Sequence, residues 1–314
     1  MSNLMPSRTP TECPAARAAE PMLEAYATRE SDLGDGLVVR RALPQRKRRL
    51  VGPWCFLDHF GPIDLRSHRG LDVAPHPHIG LQTVTWLLAG EVLHKDSLGY
   101  EQLIRPGQLN LMTSGRGIAH SEETPQANSG SLHGVQLWVA LPDADRHAEP
   151  GFEHHAELPT SQFGGCRATV LMGNFAHASS PARAHSPIVG VEVTSLEGGP
   201  VELPLDPEFE HAVLMVAGRM RLADQSIEPG TLFYLGANRD CLRVEIESQS
   251  SFMLIGGAPF RESIIIWWNF VARSAEEIAA AREDWERERR FGEVKAYRGK
   301  RLTSPPFESR PKLR

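Results

Sequence analysis

The sequence predicts an all-β protein in which one β-unit is used twice, with a single long helix near the end. Three observations predict it. Short apolar runs rich in β-branched residues recur between Gly and Pro, and the 314 residues include 27 Gly and 24 Pro. That punctuation suits many short antiparallel strands. The segment "IRPGQLNLM" (104–112) is repeated in pattern as "IEPGTLFYL" (227–235), and "TWLLAG" ending at Gly90 is repeated as "LMVAG" ending at Gly218. One segment alone, "SAEEIAAAREDWERERRFG", has a helix signature. Ser274 and Glu277 make a capping box, acidic residues open the helix, Arg287, Arg289 and Arg290 close it, and Gly292 supplies the stop.

The elements follow in order. Residues 1–30 are rich in Pro, Ala and Ser without periodicity, and read as a flexible N-terminal arm. Residues 31–145 are read as the first β-unit, with strands expected at "LVVRRAL", "WCFLDHF", "LQTVTWLLAGEVLHKDS", "EQLIRPGQLNLM" and "HGVQLWVAL". Residues 146–292 are read as the second β-unit and the helix. The segment 142–186 is loop-rich with one strand at "RATVLMG", and a strand-rich block runs from Ile188 to Val271. Residues 293–314 are basic and Pro-containing, and read as a surface tail.

Composition narrows the function. The net charge of −5 gives no global field toward nucleic acid or anionic membrane. "RRALPQRKRR" (40–49) alternates basic with apolar residues and reads as a solvated strand face rather than a nucleic-acid patch. Cys13, Cys55, Cys166 and Cys241 are scattered, with no C-x-x-C pair, so neither a disulfide framework nor a zinc ribbon is expected. No secretory h-region is visible, and no apolar run approaches the roughly 18 residues of a membrane span. The expectation is a cytoplasmic protein with no membrane partner.

The chemistry lies in two pairs. His76 and His78 flank Pro77 at the mouth of an apolar strand. In a strand, residues i and i+2 face the same way, so both imidazoles can enter one cavity. Alone this pair is weak evidence. His120 and Glu122, in "GRGIAHSEETP", repeat the spacing. Two such pairs on two strands of one barrel can converge as a site of three histidines and one carboxylate. That mixed nitrogen and oxygen set suits an octahedral first-row ion with open positions.

"FLDHFGP", "HPHIGLQTVTWLLAGEV", "RPGQLNLMTSGRGIAHSEETP", "HGVQLWVALP" and "GGAPFRESIIIWWNFV" resemble the pirin family of the cupin superfamily. The likeness covers most of residues 36–271. It implies a bicupin, two antiparallel β-barrels face to face, with a metal in the N-terminal barrel only. It implies His76, His78, His120 and Glu122 as ligands of one divalent transition metal, iron(II) foremost, with manganese, nickel, copper, cobalt and zinc as alternatives. It further implies a quercetin dioxygenase acting on a flavonol and dioxygen, with Glu122 as the catalytic base. The alternative is an iron-dependent regulator that acts through a protein partner. Both would carry the same four ligands.

The repeat bears on the one-metal expectation. It places Pro204 and Asp206 at the positions of His76 and His78, and Arg243 and Glu245 at those of His120 and Glu122. An arginine there would repel a cation, so the second barrel reads as a scaffold and His211 as a lone surface or core histidine. Gln82 stands where single-domain cupins place a ligand glutamate. His133 could support a ligand from behind, or could simply end a strand. His59 and His94 read as structural, His154 and His155 as solvated linker residues, and Arg116 as holding the ligand loop through carbonyls.

Overall fold

The computed structural model describes residues 7–16, 20–32 and 37–308. Three short strands come first: β1 (Thr11–Cys13), β2 (Glu24–Ala27) and β3 (Arg29–Asp32). The first unit follows as β4 (Val38–Leu43), β5 (Trp54–Asp64), β6 (Asp72–His78), β7 (Leu81–Ala89), β8 (Val92–Asp96), β9 (Glu101–Ile104), β10 (Leu109–Thr113), β11 (Ile118–Glu123) and β12 (Ser131–Ala140). β13 (Gly151–His155), β14 (Thr160–Phe163), β15 (Cys166–Phe175) and β16 (Ala178–Ser179) lead to the second unit. That unit is β17 (Ile188–Ser195), β18 (Gly199–Pro204), β19 (Glu210–Ala217), β20 (Met220–Leu222), β21 (Gln225–Ile227), β22 (Thr231–Gly236), β23 (Cys241–Ile246) and β24 (Ser250–Gly257). β25 (Ile264–Trp267), β26 (Phe270–Ala272) and α1 (Ala275–Glu286) complete the fold.

The internal repeat appears strand for strand. A small sheet runs β6-β11-β8-β9 in the first unit and β18-β23-β20-β21 in the second. The large sheets carry β10-β7-β12-β5 and β22-β19-β24-β17 in the same order. In each unit the small sheet folds over the large one, which gives two β-barrels. The barrels meet through their large sheets. Val84, Trp86, Val135 and Leu137 of the first share one buried cluster with Leu214, Val216, Met253 and Ile255 of the second. These residues alternate along their strands, so one face of each sheet is buried at the interface while the other lines a barrel interior. The Trp54 indole crosses the junction, donating to the carbonyls of Val189 and Gly256 at 3.1 and 3.0 Å.

The termini differ from expectation. β2 pairs with β22 on the edge of the second barrel, and β1 pairs with β25. The described part of the N-terminal arm is thus strand structure that covers a sheet edge and its unpaired backbone groups; residues 1–6 and 17–19 lie outside the described residues. The expected tail also packs. Val294 is buried, Phe307 meets the Trp267 ring edge-on, and the Leu302 N–H donates to the Pro75 carbonyl at 2.9 Å. Residues 303–308 continue this segment, and 309–314 lie outside the described residues. Both differences rest on partners far away in sequence, which local periodicity does not report.

Two further expectations change. The segment 142–186 carries four strands rather than one. The basic run is not a uniform solvated face: Arg41 is buried and holds the Asp58 carboxylate through two bonds of 2.8 Å, and Arg48 lies over the Tyr234 ring. The helix begins as expected, with the Ser274 hydroxyl accepting from the Glu277 N–H at 3.3 Å. It ends at Glu286, before the three arginines and Gly292, and Arg287 and Arg289 turn back to Glu283.

Candidate metal centre

β6 and β11 are antiparallel neighbours, and their register sets His120 opposite His76. Alternation turns His76, His78 and His120 to the same interior, where all three are fully buried. The register shifts between His120 and Glu122, yet Glu122 remains only 2% exposed. One nitrogen from each of the three rings lies within 4.8 Å of the others. The Nε2 atoms of His78 and His120 are 3.1 Å apart. Glu122 is not among the groups whose ligand atoms meet within 4.8 Å, although its charge acts on the His76 ring.

The partners behind the rings decide which nitrogens face inward. His76 Nδ1 lies 2.9 Å from the Ala74 carbonyl, and His78 Nδ1 lies 2.9 Å from the Asn269 carbonyl. A carbonyl only accepts, so both Nδ1 atoms carry the proton and both Nε2 atoms keep a lone pair. His120 Nδ1 meets His94 Nδ1 at 3.3 Å, and His94 Nε2 meets an Asp96 carboxylate oxygen at 3.1 Å. Asp96 accepts, so His94 carries its proton on Nε2 and accepts from His120 with Nδ1. His120 therefore also presents a bare Nε2. Three lone pairs converge, and His76 Nε2 has no hydrogen-bond partner although it is buried. A buried, unpartnered acceptor beside two mutually repelling ones is a costly arrangement unless a cation joins them. The residues fit a divalent ion. Burial reinforces this: it lowers the His76 pKa to about 4 and puts His78 and His120 well below 6.5, so the rings are neutral ligands at neutral pH.

The surrounding chain braces these rings. The Asn269 carbonyl comes from the turn between β25 and β26, where buried Trp268 holds φ 51°. A left-handed non-glycine residue costs roughly 1–3 kcal/mol and persists only where packing enforces it. β26 is laced to the end of β6 by the Val271 N–H donating to the Ile79 carbonyl at 3.1 Å. Gly80 permits that approach: its φ is 69°, and a Cβ there would lie 2.2 Å from the Val271 carbonyl oxygen. Trp138 stands edge-on to His78 at 5.3 Å between ring centres, with Phe56 stacked on it at 4.0 Å. Phe152 stacks on His94 at 4.4 Å.

Several sequence readings change here. His94 and Asp96 support the centre directly, although His94 reads as structural in the sequence. Their signal was the same i, i+2 spacing, in "HKD". His133 does not reach the cluster; its Nε2 lies 2.8 Å from Nε2 of His59. Gln82 is directed elsewhere: its amide donates to the Thr113 hydroxyl and the Arg183 carbonyl, each at 3.0 Å. Arg116 pairs with the Glu149 carboxylate rather than with carbonyls. His154 and His155 lie on β13, paired with β10, and His154 meets the Asn110 side chain at 2.7 Å. In the second barrel Arg243 and Glu245 face solvent and pair with Glu202 and Arg221. The inward positions of β23 are Leu242, Val244 and Ile246, part of an aliphatic core. The repeat alignment thus falls one residue out of phase, and a one-residue slip exchanges the two faces of a strand.

Residues 36–139 match the family Pirin, and residues 190–292 match the Pirin C-terminal cupin domain. The chain belongs to the pirin family. This pirin is 44% identical over 297 residues to a Pseudomonas aeruginosa protein provisionally named quercetin 2,3-dioxygenase, covering 94% of this chain and 93% of that one. It is 29% identical to human pirin, covering 87% of this chain and 95% of the human protein. A crystal structure titled quercetin 2,3-dioxygenase from Acinetobacter baumannii superposes with a TM-score of 0.89 at 41% identity, covering 92% of this pirin and 97% of that chain. The fold is the two-domain cupin fold that these matches share.

Proposed function

We propose that this pirin is a metal-dependent dioxygenase that cleaves flavonols such as quercetin. The observation that carries the reading is the convergence of three neutral imidazole nitrogens, with Glu122 two residues beyond His120 on the same strand, in a chain 44% identical to a protein provisionally named for that reaction. His76, His78, His120 and Glu122 would hold one divalent first-row ion, iron(II) foremost. When bound, that ion would supply Lewis acidity toward a flavonol oxygen and redox access to dioxygen. The chain's own residues would do the rest. Glu122, loosened from the site, would take the substrate hydroxyl proton at its carboxylate. Trp138 and Phe56 would offer a flat apolar wall to the aromatic rings. The His94–Asp96 pair would hold His120 in the tautomer the site needs.

One observation favours a second reading. The three imidazoles are fully buried and Glu122 nearly so. A sealed centre suits an iron protein that senses redox state and acts through a protein partner. The dioxygenase reading requires the site to open to a flavonol. Oxygen uptake with quercetin, using protein loaded in turn with iron, manganese, nickel, copper, cobalt or zinc, separates the two. Turnover in loaded wild type and its loss in His76→Ala support the dioxygenase. No uptake with any of the metals sinks it.

A further inference from the structure

The second barrel has an interior feature that the metal reading leaves unused. A cavity of about 580 Å³ opens at its mouth, a size in the range of small-molecule sites. Phe175 and Phe209 contribute aromatic surface and Leu254 apolar lining. Two polar side chains stand out in this lining, His211 and Asp206. Asp206 is the one charged residue among those that line the cavity.

His211 is only 1% exposed, and its Nδ1 has no partner in hydrogen-bond geometry. The Phe209 carbonyl reaches the ring only as a poorly aligned backbone acceptor, and the Asp206 carboxylate acts on it through its charge. Burial lowers its pKa to about 4, so the ring is neutral at neutral pH. Buried polar atoms in native proteins usually have partners, and an orphan beside a cavity points to a ligand. Asp206 already accepts from the Glu208 N–H at 2.9 Å, which holds the carboxylate in place at the rim. A carboxylate only accepts, so the ligand has to bring a donor. A hydroxyl both donates and accepts, and therefore satisfies neutral His211 in either tautomer. The Asp206 charge disfavours an anion. The phenylalanines favour a flat apolar body.

We propose that this cavity is a second ligand site, separate from the three-histidine cluster, that takes a neutral aromatic molecule bearing a hydroxyl group. The barrel that lost the histidines is a binding module rather than a scaffold.

Naphthol, its methyl ether and naphthoate share one shape and differ in donor and charge, and calorimetric titration at neutral pH reads all three. The proposal expects saturable one-to-one naphthol binding to wild type and equally to His76→Ala. It expects at least tenfold weaker binding of the ether and of naphthoate. His211→Leu should weaken naphthol tenfold or more, with its fold checked by thermal melting. Ser186→Trp, placed on the lip of the cavity away from the core, should block binding and covers the case in which the His211 variant does not fold. No saturable naphthol binding to wild type overturns the proposal. So does binding lost in His76→Ala, binding retained in Ser186→Trp, or an ether or naphthoate that binds as tightly.

Discussion

The Nδ1 of His94 lies 3.3 Å from the Nδ1 of His120, and the far nitrogen of His94 rests on Asp96. Asp96 is itself held by the N–H groups of Leu98 and Tyr100 at 2.9 and 3.0 Å. A carboxylate anchored by backbone thus orients one histidine, which orients the next. Groups behind a ligand typically account for about 10–100-fold in metal affinity. His94→Phe preserves the stacking on Phe152 and removes the acceptor. We expect metal affinity to fall on the order of tenfold or more, with little change in melting temperature of the metal-free protein. Competition with a chelator measures it.

Gln82 ties the first barrel to the segment that leads into the second. Its amide donates to Thr113 and to the carbonyl of Arg183, in the connection before the second barrel. Gln82→Leu leaves a buried hydroxyl and a carbonyl without their donor, at a cost of about 1–3 kcal/mol. Denaturant unfolding should show that loss, while metal stoichiometry stays at the wild-type value.

His59 and His133 make a pH-sensitive contact. Their Nε2 atoms are 2.8 Å apart, which requires one to donate and the other to accept. Burial lowers the His59 pKa to about 3 and that of His133 to about 4, with Arg40 adding to both. Both values lie below the ordinary 6.5, so the unfolded chain binds protons first as pH falls. The stability these rings contribute is fully present above about pH 6.5 and is lost as pH falls toward their folded values. Melting temperature should be flat from pH 7 to 8 and should drop between about 6.5 and 4. A His59→Gln/His133→Gln protein should show a shallower drop.

The N-terminal segment covers a sheet edge. β2 pairs with β22 over four residues, from Glu24 opposite Tyr234 to Ala27 opposite Thr231. Deleting residues 1–28 exposes that edge and the β25 edge that β1 covers. We expect a lower melting temperature and concentration-dependent association, read by light scattering, because an open strand edge pairs with other chains.

Much of the molecule was legible in the sequence because its signals are local. Strand alternation, Pro-Gly turns and the twofold repeat require only neighbouring residues, and they gave the all-β fold and the repeated unit; the two barrels came from the family resemblance. His76 with His78, and His120 opposite them, were legible for the same reason, since alternation turns each toward one interior. What escaped was set by pairing across the sheets. The use of His94 behind His120 depends on β8 lying beside β11. The Arg41–Asp58 bond depends on β4 lying beside β5. The phase of β23 was misjudged by one residue because the face a strand turns inward is set by pairing across the sheet, here Arg243 opposite Glu202.

The central claim is that His76, His78 and His120 hold one metal ion with Glu122. Metal content per chain, measured by elemental mass spectrometry on protein loaded with iron(II) and freed of excess, tests it most directly. The account expects about one ion per wild-type chain and close to none in His120→Ala that still melts cooperatively. Equal metal content in the two proteins would contradict it.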